Sequence, residues 1–209
     1  CFHVGSQCIN ANAYKFAINK SKNVIKKSGV KISYLNIGGG FPSLYSGTKP
    51  FCLKEYFNKI HNEFLNLKKD LKYNIKLFSE PGRSIVSDCM SIIVRVDLKK
   101  NNKLFINDGI YGSLNNAGFR SFKYPVRLFN RIDNKSELEA FSFFGPTCDS
   151  EDFMKGPFYL PKSVQEGDWI EVKQMGAYSI TMRTNFNGFF NVPKVFLLNH
   201  KLVYDKKFY

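Results

Sequence analysis

Long apolar runs are missing: none of the 209 residues lies in a stretch approaching the ~18 that a membrane span requires, so no membrane partner is expected. Paired cysteines are missing too. Cys1, Cys8, Cys52, Cys89 and Cys148 form no Cys-x-x-Cys and no metal-finger spacing. Their odd number fits reduced thiols in a cytoplasmic protein better than a disulfide framework. The three histidines are scattered, and His61 and His200 have no ligand-like neighbours, so no metal site is expected. Acidic residues are scarce, 17 against 31 Lys and Arg, which gives a formal charge of +14. Such an excess suggests nucleic acid only where it is clustered beside a recognition module. Here the lysines fall along helix faces and turns, with no such module. A general richness in Lys, Asn and Ile accounts for the charge, and no nucleic-acid partner is expected.

What is present is an alternation of element types. Residues 1–4 read as the end of a strand, and because the chain opens on Cys1 rather than Met it is expected to be a fragment beginning inside one. A helix follows near 10–29, then a strand at 32–37 running into Gly38-Gly39-Gly40. A second helix, near 53–70, has Leu53, Phe57, Ile60, Phe64 and Leu67 at three- and four-residue steps. A third strand, 75–79, runs into Glu80-Pro81-Gly82-Arg83. This is the rhythm of a parallel α/β unit. From about Ser84 the pattern is all-β. Strands are expected at 85–98, 104–106, 126–132, 138–143, 169–172 and 178–182, with turns at Asn101-Asn102, Asp133-Asn134 and Glu166-Gly167-Asp168. Two domains follow, residues 1–83 and 84–209, with Trp169 read as part of the β-domain core.

Each of the three parallel strands ends in residues suited to holding a ligand: His3-Val4-Gly5-Ser6, the triple glycine, and Glu80-Pro81-Gly82-Arg83. In parallel α/β folds, ligands sit at those C-terminal ends. Consecutive glycines let backbone N–H groups approach an anion, a following helix N-terminus adds positive potential, and Arg83 offers a forked charge-assisted contact. A phosphate site is the resulting expectation. Taken singly, the glycines read as a turn, Glu80 to Arg83 as a bend with a surface ion pair, and His3 as a hydrogen-bonded core histidine.

Six strings occur in order: His3-Val-Gly-Ser-Gln7, Asn36-Ile-Gly-Gly-Gly-Phe-Pro42, Glu80-Pro-Gly-Arg83, Asn107-Asp-Gly-Ile-Tyr-Gly-Ser113, Gly145-Pro-Thr-Cys-Asp149 and Met175-Gly-Ala-Tyr178. The series resembles the pyridoxal-phosphate-dependent decarboxylases of alanine-racemase fold, the family of ornithine, lysine and diaminopimelate decarboxylases. The resemblance implies that residues 1–83 are the C-terminal strands and helices of a (β/α)8 cofactor-binding barrel. Residues 84–209 would then be a β-sandwich or β-barrel domain. The cofactor-binding lysine would lie in upstream strands absent from this chain, which would be inactive alone.

Carried over by position, His3 would stack on the pyridine ring, while Ser6, the backbone of Gly38, Gly39 and Gly40, Arg83 and Tyr178 would hold the cofactor phosphate. Pro81 and Gly82 complete the turn between Glu80 and Arg83. Glu80 would pair with the pyridine nitrogen and keep it protonated, as an adjacent carboxylate does by raising that nitrogen's pKa. Cys148 and Asp149 would enter the site of the neighbouring subunit of a homodimer. There Cys148 would return a proton to the α-carbon, and Asp149 would bind the distal ammonium of the substrate. Tyr111 is expected in the pocket, and Phe186 either at its edge or in the core. Asp149 suits a simple cationic end, so the expected reaction is L-ornithine to putrescine, with L-lysine to cadaverine as a further possibility. Diaminopimelate, arginine or carboxynorspermidine decarboxylation is the alternative, as is a non-catalytic homologue that regulates a partner. One departure bears on substrate choice: Phe119-Arg120 stands where relatives carry an aromatic-Asp pair. An inward Arg120 would repel a cationic tail, so either it points away or Asn116 takes part through water.

Overall fold

The computed structural model describes residues 1–50, 52–129, 136–190, 195–198 and 201–204. The chain divides into two compact units. The first comprises Cys1–Ser91, Lys123–Pro125 and Lys173–Ala177; the second comprises Ile92–Phe122, Val126–Val172 and Tyr178–Tyr209.

The first unit is built on α1 (Asn12–Ser28), β1 (Tyr34–Asn36), α2 (Leu53–Leu71), β2 (Lys76–Phe78) and the short α3 (Arg83–Val86). Strands β1 and β2 are parallel, with Leu35 opposite Leu77. Residues 1–4 form no strand, yet Phe2 N–H donates to Asn36 O (3.1 Å) and Cys8 N–H to Gly40 O (2.8 Å), so this segment runs alongside β1. Helix α1 stops where Gly29 adopts φ 67°, a left-handed cap that glycine adopts without strain. The core gathers Tyr14 and Ile18 of α1, Leu35 and Ile37 around β1, and Tyr56, Ile60, Phe64 and Leu67 of α2. In α2 the apolar stripe is rotated from the expected one: Tyr56 is buried and Phe57 is 49% exposed. Tyr56 is drawn inward because its hydroxyl finds acceptors in Cys8 O (2.9 Å) and Ile9 O (2.5 Å). Its ring meets Tyr14 edge-on.

The second unit holds a six-stranded sheet in the order β5-β8-β3-β4-β6-β7. Its strands are β3 (Ile92–Lys100), β4 (Lys103–Ile106), β5 (Val126–Leu128), β6 (Leu138–Phe144), β7 (Phe153–Pro161) and β8 (Trp169–Val172), with a short helix α4 (Asn115–Phe119) between β4 and β5. The pairings are antiparallel apart from β4 with β6. Register shifts between Val96 and Leu98 and between Phe141 and Phe143 add local twist. The outer strands β5 and β7 come into contact, so the sheet nearly closes into a barrel. Alternate residues fill it: Val94, Val96, Leu104, Ile106, Phe141, Phe143, Met154, Phe158, Leu160, Ile170 and Val172 are buried. Phe143 and Phe158 stack at 4.2 Å. A separate hairpin pairs β9 (Val195–Leu198) with β10 (Lys201–Tyr204).

Several expectations are corrected. The strand anticipated from residue 85 begins only at Ile92, preceded by α3 and a 3-10 turn at Ser87–Cys89. Residues 178–182 hold a 3-10 turn, Ile180–Met182, instead of a strand. Strand β7 was not anticipated, because Gly156-Pro157 inside it reads as a turn. Trp169 is 39% exposed and does not belong to the core, since in β8 it alternates with the buried Ile170. The Asp133-Asn134 turn and His200 lie outside the described residues. Among the described residues no helix is long and apolar enough to cross a membrane.

Candidate functional site

In the first unit, the ends of three neighbouring segments close on one another. Glu80 N–H donates to Gly38 O (2.8 Å) and Ile37 N–H to Phe78 O (2.9 Å), which locks the Gly-Gly-Gly and Glu-Pro-Gly-Arg segments side by side. The glycines are required by this closeness. A Cβ on Gly38 would stand 2.3 Å from Phe2 O, one on Gly39 2.6 Å from Glu80 O, and one on Gly40 2.4 Å from Gly5 O. His3 stands over the same place: its Nε2 lies 3.5 Å from where a Gly39 Cβ would be, and its Nδ1 accepts Gly5 N–H at 2.9 Å. No helix follows the triple glycine directly, since α2 starts only at Leu53, so the expected helix-terminus contribution there is absent.

Two side chains not singled out in the sequence orient the charged groups. Asn36 Nδ2 donates to Glu80 Oε1 (2.7 Å) while its Oδ1 accepts Gly38 N–H (2.8 Å), so one amide aims the carboxylate and shapes the glycine turn. Tyr45 does the same for Arg83, which is 5% exposed: Nη1 donates to Tyr45 Oη at 2.8 Å, and Nη2 reaches Ser6 Oγ at 3.4 Å. Burial pushes the Tyr45 hydroxyl pKa up, opposed by the Arg83 hydrogen bond and charge, so it is neutral at physiological pH. A buried Ser43 Oγ donates to Arg83 O (3.1 Å) and accepts from Ser87 Oγ (2.8 Å). Ser43 and Tyr45 sit on a loop and Asn36 ends β1, places where periodicity carries no signal; only the Asn36 position beside the glycines hinted at a role.

The second unit gathers a different cluster. The Tyr111 hydroxyl donates to Asp149 Oδ2, and the Tyr111 ring lies against Phe186 with centroids 4.4 Å apart. Phe186 is 39% exposed and sits at the edge of this cluster, not in the core. Asp149 Oδ1 also accepts Glu151 N–H (3.0 Å). The Tyr111 bond and then the Glu151 amide hold the Asp149 carboxyl below the ordinary carboxylate range. That same bond is the main cause raising Tyr111 to about 12. Cys148 is exposed, and its backbone N–H donates to Asn187 Oδ1 (3.2 Å). Asp152, 3% exposed, shapes the loop by accepting Ile110 N–H (2.8 Å), Thr147 N–H (3.1 Å) and Thr147 Oγ1 (2.7 Å). Tyr178 is 47% exposed at φ 54°, and its carbonyl accepts Asn116 Nδ2 at 3.0 Å. Asn116 is 3% exposed and gives one amide N–H to that bond; Arg120 is exposed. Among the described residues no group of three or more His, Cys, Asp or Glu is placed to hold a metal ion.

Residues 1–87 match the family model of the pyridoxal-dependent decarboxylase pyridoxal binding domain. Antizyme inhibitor 2 of Xenopus laevis is 32% identical over 92% of the chain and 45% of its own length. Diaminopimelate decarboxylase of Archaeoglobus fulgidus is 34% identical over 89% of the chain and 45% of its own. The solved lysine/ornithine decarboxylase of Vibrio vulnificus, complexed with cadaverine, superposes with a TM-score of 0.73 at 32% identity, over 90% of this chain and 51% of that one. The chain belongs to the pyridoxal-phosphate-dependent decarboxylase family that includes the ornithine, lysine and diaminopimelate enzymes. Its fold is the C-terminal part of their barrel followed by their β-domain. It spans about half the length of these relatives.

The family's cofactor is pyridoxal phosphate, and the first unit fits it. The triple glycine puts no side chain of its own in the way of an anion, although the Gly38 N–H is already taken by Asn36 Oδ1. Arg83 and Ser6 supply donors for a phosphate, Glu80 is an acceptor for a protonated ring nitrogen, and His3 offers a flat ring.

Proposed function

We propose that the whole protein decarboxylates a basic L-amino acid, L-ornithine to putrescine in the first place and L-lysine to cadaverine in the second, as a step of polyamine biosynthesis. The strand-end cluster of Gly38, Gly39, Gly40, Glu80, Arg83 and Ser6 is the observation that carries this reading. When bound, pyridoxal phosphate supplies an electron sink for the pair released as the α-carboxylate leaves as CO2.

Each residue has a definite task. Ser6, the Gly38 to Gly40 backbone and Arg83 bind the phosphate, with Pro81 and Gly82 setting the turn that delivers Arg83; Tyr178 joins them on the resemblance alone. Glu80, aimed by Asn36, holds a proton at the ring nitrogen, and His3 covers the ring face. Asp149, ionised and steadied by Tyr111, binds the distal ammonium against Phe186 and Tyr111. Cys148 gives its thiol proton to the α-carbon after CO2 departs. In the family pattern Cys148 and Asp149 serve the partner subunit's site, so the working form is a homodimer.

The test is Cys148→Ala in the whole protein. Cofactor absorbance is expected to persist while the yield of diamine per CO2 falls, because protonation at the α-carbon loses its donor. An unchanged diamine yield and rate would remove Cys148 from this role. The relationship to antizyme inhibitor 2 keeps a second reading in view, that of a non-catalytic binding partner. Failure of the whole wild-type protein to bind cofactor and release CO2 from ornithine, lysine, arginine or diaminopimelate would favour it.

A further inference from the structure

Arg183 is half-buried as a residue, but its side chain is largely enclosed. Its side chain is 7% exposed and faces Asp108, 8% exposed, with Nη1 2.9 Å from Asp108 Oδ2. The same Nη1 donates to Ser113 Oγ at 2.5 Å, and Nη2 donates to Phe189 O at 2.9 Å. Asp108 in turn accepts Gly109 N–H (2.8 Å) and Ser113 N–H (2.9 Å) on its other oxygen. One guanidinium therefore joins both ends of the 108–113 loop to the 183–189 segment. Gly112 belongs to the same knot: a Cβ there would lie 1.8 Å from Asp108 Oδ1 and 3.2 Å from Arg183 Nη1.

Stability is a poor explanation for such a pair. Burying two ions costs desolvation that their attraction hardly returns, and apolar residues of like volume serve as well or better. Arg183 also leaves Nε buried without a hydrogen-bond partner among the described residues, a further cost. What the pair does achieve is registry between two loops that carry the substrate-side cluster. Next to Arg183, Thr184 N–H donates to Tyr111 O (2.8 Å) and Thr184 Oγ1 donates to the same carbonyl (3.2 Å). Phe186 N–H donates to Thr184 Oγ1 (3.3 Å), and Phe186 packs on the Tyr111 ring. Asn187 holds the Cys148 amide, and Tyr111 holds Asp149. Tyr111 is bonded to Thr184, the neighbour of Arg183, and Asp149 follows through Tyr111.

We propose that Arg183 is a positioning residue: paired with Asp108, it fixes the placement of Tyr111 and Phe186, and through them of Asp149 and Cys148, so that the pocket for the substrate's distal ammonium is set before substrate arrives. The inference rests on the functional reading above. It differs from a mere clamp because it concerns substrate affinity more than folding.

The test uses the whole protein with Arg183→Met, Arg183→Lys and the double variant Asp108→Asn/Arg183→Met. The double variant leaves no buried unpaired charge and serves where the single Met variant does not fold. Loss of the pair is expected to raise KM for the basic amino acid about tenfold, with kcat per bound cofactor changing less than about threefold, as fits loss of binding geometry. Arg183→Lys is expected to recover part of the KM, because it keeps a donor at Asp108. Amide exchange supplies a readout that needs no activity: the Ser113 and Thr184 amides are expected to exchange faster in the double variant, the β3 and β8 amides at the wild-type rate. Unchanged KM, equal behaviour of the Lys and Met variants, uniform loss of protection, or failure of both Met variants to fold would each overturn the positioning role. If the wild-type protein binds no cofactor, the functional reading falls, and the exchange measurement still judges whether Arg183 sets these loops.

Discussion

Gly39 is the position where the geometry of the strand-end cluster can be broken with a single methyl group. Unlike Gly38 and Gly40, it has no positive φ, so alanine there meets no backbone strain and the outcome depends on space alone. The space is missing: a Cβ would lie 2.6 Å from Glu80 O, where ordinary contact begins at 3.4 Å. About 0.8 Å of displacement has to be found, and the clashing atom is backbone, which moves only with its strand end. Overpacking of this kind costs typically 1–3 kcal/mol. At about 2 kcal/mol, a chain of this size should lose roughly 4–8 °C in Tm. The displaced residue is Glu80 itself, so cofactor affinity of the whole protein should fall together with stability. Cofactor titration and thermal unfolding of Gly39→Ala test this. Gly29→Ala is the control: at φ 67° with no atom within 4 Å of its Cβ, it should cost about 1 kcal/mol through backbone strain and leave cofactor affinity alone. A Gly39→Ala protein with wild-type Tm and wild-type cofactor affinity would refute the argument that the segments are packed as tightly as described.

Two other substitutions probe the groups that aim the charged side chains. Tyr45→Phe removes the acceptor that Arg83 Nη1 meets at 2.8 Å in a buried setting. Stability should fall by about 1–2 kcal/mol, and cofactor affinity severalfold, both read by cofactor titration during denaturant unfolding; no change in either would remove Tyr45 from the Arg83 site. Tyr111→Phe removes the principal cause of the lowered Asp149 pKa. Because that pKa is depressed in the folded chain, the Tyr111–Asp149 bond contributes above the ordinary carboxylate pKa of about 3.9 and is lost as pH falls through the lower folded value. The variant should therefore lose Asp149 ionisation at a higher pH than the wild type, and the acidic limb of 1/KM should move upward. On the alkaline side the sign reverses. Tyr111 is raised to about 12, so its contribution is complete below its ordinary value near 10 and fades as pH rises through 12. A wild-type acidic limb that Tyr111→Phe leaves in place would separate Asp149 from substrate binding.

How much of this was legible beforehand depended on what kind of force placed each residue. The α/β rhythm of the first unit could be read because burial on one face of a helix or strand leaves a period in the sequence, and α1, β1, α2 and β2 fall where that period put them. The glycine triplet was legible for a related reason, since glycine marks places where backbones come too close for a Cβ. The period failed where hydrogen bonding outweighed it. Tyr56 took the buried position expected of Phe57 because its hydroxyl had two carbonyls to meet. It failed at β7 because Gly156-Pro157 signals a turn when read locally, although its neighbours Met154, Phe158 and Leu160 alternate into the core.

The same distinction explains why Glu80 and Arg83 stood out in the sequence as candidates while Asn36, Tyr45 and Arg183 could not be given a task. Glu80 and Arg83 advertise themselves as charges beside a Pro-Gly turn. A residue that aims them needs only one polar atom at the right place, and any of many loop residues could supply it. Arg183 shows the difficulty at its sharpest. In sequence it is one of 31 basic residues in a chain of charge +14, beside a segment read as a strand, and nothing local separates it from a solvated surface arginine. Only the fold shows that its partner is Asp108, 75 residues earlier, and that the Asp108 carboxylate is also bonded to the loop leading to Tyr111. A buried charge is costly enough that its partner must be close, so pairing is where function hidden from periodicity becomes visible.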